Sequence, residues 1–281
     1  AIYRSGHLQN SITIDPSNIE RAEVIFGSSS VGYGSDAMGG VIHYYTKNPI
    51  LKNSKKISSS FTSNFNSANN GVTNNFNTNY SSDNWGSITS ISISKYGDIK
   101  MGKKRNHGYS NWGFTPIFSE NSRYKFYAEP SINSDNNIQK NTGYSQVDLF
   151  QKFLFRIGDN NLLNLNIQFS ESSDIDRFDQ LSIPKDDSLK FSEWYYGPQK
   201  RLLISPSLRI FPKKKFMDKG VITFGFQKIN ESRIKRKFYS LNRSHQIEDL
   251  KVLSLNGDFD TSFNNGHTLS YGIETTYNHN Y

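Results

Sequence analysis

Residues 19–46 read IERAEVIFGSSSVGYGSDAMGGVIHYYT, and the fold turns on them. Glu20–Phe26 reads as an amphipathic strand, with Glu20, Arg21 and Glu23 set against Ala22 and Val24. Gly27 breaks it, and the spacing predicts one short helical turn over Ser28–Tyr33. Gly32, Gly34, Gly39 and Gly40 then allow sharp bends before Val41–Thr46 returns as a second strand. Upstream, Asp15-Pro16-Ser17-Asn18 predicts a helical turn with Asp15 as N-cap and Pro16 at the first helical position. Downstream, Pro49 and the polar run Lys52–Lys55 read as a linker. The expected division is therefore a small glycine-punctuated unit over 1–50 and a second unit over 51–281.

From Ile57 onward a period of two dominates. Ile57, Phe61 and Phe65 share one phase, as do Val72, Phe76 and Tyr80. Trp85, Ile91 and Ile93 follow, then Val147, Leu149, Phe153, Phe155 and Ile157. Leu163, Leu165, Ile167 and Phe169 alternate with Asn164, Asn166 and Gln168. Further sets are Leu202, Ile204, Leu208 and Ile210, then Ile222, Phe224 and Phe226. Leu253, Leu255, Phe259 and Phe263 precede the last set, Leu269, Tyr271, Ile273 and Tyr277. The pattern predicts nine strands. Short links at Ser82–Asn84, Gly158–Asn161, Pro212–Lys219 and Asn264–His267 alternate with long ones at Tyr96–Gly143, Ser173–Lys200 and Arg233–Glu248. Only the first link on the long side, Ser67–Gly71, is brief. Outer-membrane barrels pair short periplasmic turns with long extracellular loops. Nine strands leave such a barrel open, and an open edge in lipid leaves backbone groups unsatisfied. The expectation is a piece of a longer protein.

Composition agrees. Of 281 residues only 35% are hydrophobic, while 14% are aromatic, mostly Tyr and Phe. A soluble core wants more Leu, Ile and Val; a barrel with a wet inside and a lipid-facing outside does not. No apolar run is long enough for a transmembrane helix. With no cysteine, thiol and disulfide chemistry are excluded. The net charge of +8 comes from scattered runs, Lys103-Lys104-Arg105, Lys213-Lys214-Lys215 and Arg233–Lys237. No nucleic-acid fold signature accompanies them, so headgroup contact or solvated rims are expected.

The stretch IERAEVIFGSSSVGYGSDAMGGVIHYYTKNP resembles the end of the plug domain of TonB-dependent outer-membrane receptors, whose usual form is close to IERIEVLRGPSSALYGSDAIGGVINIITK. Phe26 and Ser28 stand where the family has Arg and Pro, which puts in doubt any plug-to-barrel salt bridge from position 26. GSSSVGYGSDAMGG lacks the Lys-Asp-Ala-Ser and Arg-Gly-Ala-Asn runs of the glycan-importing branch. SEWYYGPQKRLL and ESRIKRKFYSLNRSHQIEDL look similar to haem- and haemoglobin-receptor-like members from Bacteroidetes. The resemblance implies an all-β chain: the C-terminal piece of a plug, then about nine of about 22 strands of a transmembrane antiparallel β-barrel. It implies a bacterial outer-membrane location and uptake of an iron complex, haem or ferric siderophore, driven by the TonB–ExbB–ExbD complex. Outer-membrane lipid and lipopolysaccharide are the surrounding partners. The rival reading is a barrel without energy coupling, an adhesin or porin, which needs no plug.

Within that frame the glycines Gly27, Gly32, Gly34, Gly39 and Gly40 serve plug turns, not a phosphate loop, since the Gly-Lys-Ser/Thr ending is missing. Glu20, Arg21 and Glu23 are candidates for locking the plug to the wall. His107, Tyr109, Trp112, Trp194, Tyr195, Tyr196 and His245 lie in loop segments and are the candidate ligand contacts, because a haem site needs an axial His or Tyr and aromatic walls. Asp174, Asp176, Asp179, Asp186 and Asp187 read as a solvated acidic loop, although oxygen-rich loops can hold calcium. No catalytic set is present: neither GxSxG nor HExxH occurs, so an enzyme is not expected. No resident cofactor or metal is expected, and no nucleic acid.

Overall fold

The structure is a computed structural model that describes residues 14–27, 39–120, 125–158, 160–212, 217–263 and 266–280. Pro16–Asn18 forms a 3-10 turn, and the Asp15 side chain accepts from the Ser17 backbone at 2.9 Å, as the N-cap reading anticipates. Strand β1, Ile19–Ile25, then pairs antiparallel with β2, Val41–Thr46, as a separate two-stranded sheet. Gly40 has φ +136, and a Cβ there would sit 2.8 Å from the Ile25 carbonyl, so this turn requires glycine. Gly27 is also at positive φ, while Gly39 faces open space. Gly32, Gly34 and the expected helical turn over Ser28–Tyr33 lie outside the described residues.

Nine long strands follow: β3 (Lys56–Asn66), β4 (Gly71–Ser81), β5 (Trp85–Tyr96), β6 (Tyr144–Ile157), β7 (Asn161–Ser172), β10 (Lys200–Ile210), β11 (Lys219–Lys237), β12 (Ser244–Ser262) and β13 (Thr268–Asn280). Each pairs antiparallel with its sequence neighbour, so they form one meander. Two short loop strands, β8 (Ile175–Asp176) and β9 (Phe191–Tyr196), bring this sheet to 11 strands. The α-helix among the described residues is a single turn, α1 at Phe178–Leu181.

One expectation needs correcting. The sequence predicts a long loop over Arg233–Glu248, but β11 and β12 continue through most of it. Their register is unbroken from Lys219↔Asp260 to Lys235↔Ser244. Each has 19 residues, which at about 3.3 Å per residue is roughly 60 Å of strand. A membrane crossing takes only about 9–11 residues, so the upper part of this hairpin stands above the apolar band. β9 adds to the exposed edge of β11 there, directly after β10 ends.

The sheet has inverted amphipathy. Asn75, Asn77, Ser90, Ser92, Ser94, Asp148, Lys152, Gln168 and Ser170 point to one face and are buried. Phe61, Phe76, Ile91, Ile93, Leu149, Phe224, Leu253, Leu255 and Ile273 occupy the alternate phase and are exposed. The register joins the apolar positions into continuous rows, such as Phe61–Phe76–Ile91–Leu149–Phe169–Leu202. In water this sheet would expose its apolar side and bury its polar one; a lipid surround and a filled interior make that arrangement favourable. The apolar cluster of buried residues, Leu181, Phe191, Trp194 and Tyr196, lies instead in the loop region.

The linker is seated against the wall. Lys52 N–H donates to the Ser82 carbonyl at 2.9 Å, and Pro49 is buried. A Cβ on Gly86 would lie 3.2 Å from Pro49 Cβ and 3.1 Å from the Tyr80 carbonyl, so glycine permits this approach.

Facing is testable in the full-length receptor. Ile167→Arg, on the outward phase at mid-strand, should impair assembly, at a cost of roughly 2–4 kcal/mol. Asn166→Arg, on the inward phase, should assemble near normally. Heat-modifiable gel mobility reports folding, and equal loss in both variants would count against the assigned faces.

Candidate functional site

The inner face of the sheet meets the N-terminal unit, residues 14–50, through polar contacts. Lys152 projects inward from β6 and is 6% exposed. Its Nζ donates to Asn48 Oδ1 at 2.8 Å, Thr46 Oγ1 at 2.9 Å and the Lys47 carbonyl at 3.1 Å. An ammonium has three donors, so these acceptors satisfy it. On the same face, Ser92 Oγ donates to Asp15 Oδ2 at 2.6 Å, while Asn75 Nδ2 donates to Ser90 Oγ and Ser92 Oγ at 2.8 and 2.7 Å. The chain of bonds runs from β4 through β5 into the plug.

Of the lock candidates, Glu20 is exposed on β1. Arg21 and Glu23 pair with one another at 2.9 Å, and Tyr45 donates to Glu23 at 3.0 Å while its ring lies under the Arg21 guanidinium. The bond from Arg21, then that from Tyr45, holds the Glu23 carboxyl below the usual range. Sequence reasoning missed Lys152, Asp15 and Ser92. A cation on the inward phase of YSQVDLFQKFLFRI is a usable signal, but its partners are more than 100 positions away.

The seven candidate ligand contacts fall in three places. His107, Tyr109 and Trp112 form one aromatic group in the loop after β5, with His107 5.7 Å from Tyr109 and 5.5 Å from Trp112 between centroids. Tyr109 and Trp112 are exposed. His107 Nδ1 accepts from the Tyr109 backbone at 3.1 Å, so a neutral His107 carries its proton on Nε2. Trp194 and Tyr196 are buried on the inward phase of β9, beneath the Arg177 guanidinium, which lies 4.6 Å over the Trp194 ring. Tyr195 and His245 take the opposite phase, where Ile234 pairs with both across its two edges, and they line a separate cleft.

The loops are tied to one another. Glu193, buried, accepts from Arg243 Nε and Nη2 at 2.7 and 2.8 Å and from Arg236 Nη2 at 3.3 Å. Arg236 also lies over the Phe126 ring at 4.1 Å, which joins the β5–β6 loop to the hairpin. Ser119 Oγ donates to the Ser192 carbonyl, a second tie between these loops. On the inward phase above the plug stand Arg201, Glu231, Arg233 and Lys235. Arg201 donates to Gln168 at 3.3 Å and Gln227 at 3.4 Å, and Arg233 lies 3.8 Å from Glu231. The acidic loop holds no metal-like cluster among the described residues; Asp179 pairs with Arg177. Burial, with Asp174, Asp98 and Glu193 nearby, pushes Asp176 up to about 7.

Two outcomes follow for the full-length receptor. Lys152→Met leaves three plug acceptors without their donor, at about 1–3 kcal/mol. Hydrogen exchange over residues 41–50 should quicken at least tenfold, and unchanged exchange there would remove Lys152 from the anchor. For Asp176 the folded form binds the proton more tightly than the unfolded one. Its contribution is therefore present below the ordinary carboxylate range and lost as pH rises toward about 7. Exchange in the β7–β10 loop should be severalfold faster at pH 8 than at pH 5.5, beyond the chemical effect of pH. Asp176→Asn should flatten that difference, and a retained difference would place the pH sensitivity elsewhere.

Residues 2–41 match the family model described as TonB-dependent Receptor Plug Domain. No curated protein sequence matches the chain. Among solved structures, a G324V mutant of the ferric enterobactin receptor (PfeA) from Pseudomonas aeruginosa is similar at TM-score 0.60 and 18% identity, covering 92% of this chain and 36% of that one. The siderophore receptor PirA from Acinetobacter baumannii is similar at TM-score 0.59 and 15% identity, covering 93% and 35%. The chain thus spans about a third of the length of the proteins whose fold it shares. Residues 2–41 thus carry the sequence of a TonB-dependent receptor plug domain, and the chain shares the fold of part of these receptors, an antiparallel wall of inverted amphipathy that is hydrogen-bonded to residues 46–48 at the end of β2.

Proposed function

We propose that residues 1–50 are the C-terminal part of a plug and residues 51–281 part of the barrel wall of a bacterial outer-membrane receptor that imports a ferric siderophore. The observation that supports this reading is the Lys152 anchor: residues 46–48 are bonded to the inner face of the wall, as the end of an occluding plug would be. A ligand does not diffuse past such a plug. Passage needs work from outside the membrane plane, and the TonB–ExbB–ExbD complex is the source we assign. A passive porin or adhesin has no use for a hydrogen-bonded plug.

The ligand class rests on charge. Arg201, Arg233 and Lys235 share the inward phase above the plug, and Nε and Nη2 of Arg233 are buried without a hydrogen-bond partner among the described residues. Such a wall suits an anionic complex, as catecholate and carboxylate iron chelates are. The names of the matched receptors agree in kind. Haem is the second reading, favoured by the exposed His107–Tyr109–Trp112 group. Against it, His107 spends Nδ1 on the Tyr109 backbone and carries its proton on the other ring nitrogen, which then donates and does not ligate.

The test is growth of an iron-starved, receptor-deleted strain complemented with the full-length gene. Growth on ferric siderophores is expected only with TonB present. Arg201→Ala with Arg233→Ala should weaken siderophore binding at least tenfold with surface expression unchanged. Growth without TonB rejects active transport; growth on haem alone moves the ligand to the second reading.

A further inference from the structure

Two buried carboxylates meet where the N-terminal unit touches the wall. Asp15 precedes the 3-10 turn and is 8% exposed; Asp148, on the inward phase of β6, is 7% exposed. Asp148 is the direct cross-strand neighbour of Ser92 on β5 and of Ser170 on β7. Ser92 Oγ is the group that donates to Asp15 Oδ2, so one short side chain separates the two carboxylates. Both accept from neutral donors. Asp15 takes the Ser17 backbone N–H on Oδ1, and Asn18 Nδ2 beside Ser92 on Oδ2. Asp148 takes Gln146 Nε2 on both oxygens, at 2.9 and 3.0 Å. Neither carboxylate forms an ion pair among the described residues. Two like charges held away from water without a countercharge are costly.

Both line one cavity of about 10 Å³, room for a single water-sized sphere. Asn18, Gln168, Ser170 and Arg201 line it too. Asn18 is 2% exposed; its Nδ2 is spent on Asp15, and its Oδ1 has no hydrogen-bond partner among the described residues. A buried amide oxygen in that position calls for a donor or a cation. The Arg201 guanidinium donates to the amide oxygens of Gln168 and Gln227 instead. A water would serve Asn18 yet leave both carboxylate charges uncompensated. A divalent cation meets all three groups.

We propose that Asp15, Asn18 and Asp148 hold a calcium ion that ties the N-terminal unit to the wall. The donors are all oxygen, which selects a hard cation over a softer transition metal. Two carboxylates balance a doubly charged ion, and the Ser170 hydroxyl is a further oxygen on the lining. Room for one sphere admits a bare ion at about 2.3–2.6 Å from its oxygens and excludes magnesium with the waters it keeps. Among the described residues no three acidic or histidine side chains gather as a metal cluster; this set has two acids, and an amide oxygen takes the third place. Two ligands belong to the N-terminal unit and one to the wall, so displacement of residues 14–18 opens the site and releases the ion. The inference rests on the seating of those residues against β5 and β6, and not on which iron complex the receptor takes.

The test is hydrogen exchange on the full-length receptor in detergent, stripped with EGTA and then given calcium chloride, magnesium chloride or neither. Exchange over residues 14–25 should slow at least fivefold with calcium and stay unchanged with magnesium. Asp148→Asn should abolish that response, while Asp258→Asn, an exposed acid on β12, should keep it. Without metal, Asp148→Asn should exchange more slowly than wild type over these residues, because one of two facing charges is gone; damaged packing would make it faster. If Asp148→Asn loses folded gel mobility, Asn18→Ala replaces it and should raise the calcium concentration needed at least fivefold. A wild type that ignores calcium, one that responds equally to magnesium, or a calcium response that survives Asp148→Asn would overturn the proposal. Transport does not enter this readout, so its failure is separate from failure of the uptake assay.

Discussion

The three hydrogen bonds from Lys152 to Thr46, Lys47 and Asn48 answer the constraint on which the molecule is built. A sheet with its apolar side in lipid has to turn its polar side inward. Once a plug covers that side, every inward polar group needs a partner or costs roughly 1–3 kcal/mol. The wall meets the need with short side chains that bond one another and the plug. Ser90, Ser92 and Asn75 do so around Asp15, and Gln168 does so with Arg201. Such contacts hold in place, yet water can replace each of them. A wall of packed hydrophobics would offer no such substitute, because exposing it to water has a cost that hydration does not return.

The loop region follows the opposite rule. There Leu181, Phe191, Trp194 and Tyr196 pack as a small apolar core. Glu193 is shared by Arg236 and Arg243 in a buried ionic group. Removing one partner of such a group typically costs about 3–5 kcal/mol, because a charge is left unpaired away from water. The group spans β9, β11 and the segment before β12, so it fixes the hairpin against the loop that precedes β10. Phe126 on Arg236 and Ser119 on Ser192 add the β5–β6 loop to the same assembly. The loops thus form a rimmed wall with a cationic inner phase.

Much of this was legible in residue order. The period of two identified all nine long strands, because lipid on one side and water or plug on the other enforce strict alternation. The residues of the turn Pro16–Asn18, and the Gly40 bend before β2, were also readable, since caps and left-handed backbone are local requirements. The length of the β11–β12 hairpin was not. RIKRK and SHQIED are polar on both phases above the membrane, so alternation fades there although the ladder continues.

Sequence alone therefore determined which residues take the outward phase, the nine long strands of the described residues, and the glycine-punctuated segment that precedes them. The tertiary structure alone decided that Lys152 bonds residues 46–48, at the end of β2, to the inner face of the sheet. It also decided that His107 sits with Tyr109 and Trp112 while His245 faces away from the lumen. The physical reason is one of range. Alternation and backbone geometry are fixed within a few residues, but a hydrogen bond between Lys152 and Asn48 exists only after four strands of the meander, β3 to β6, and the N-terminal unit have come together.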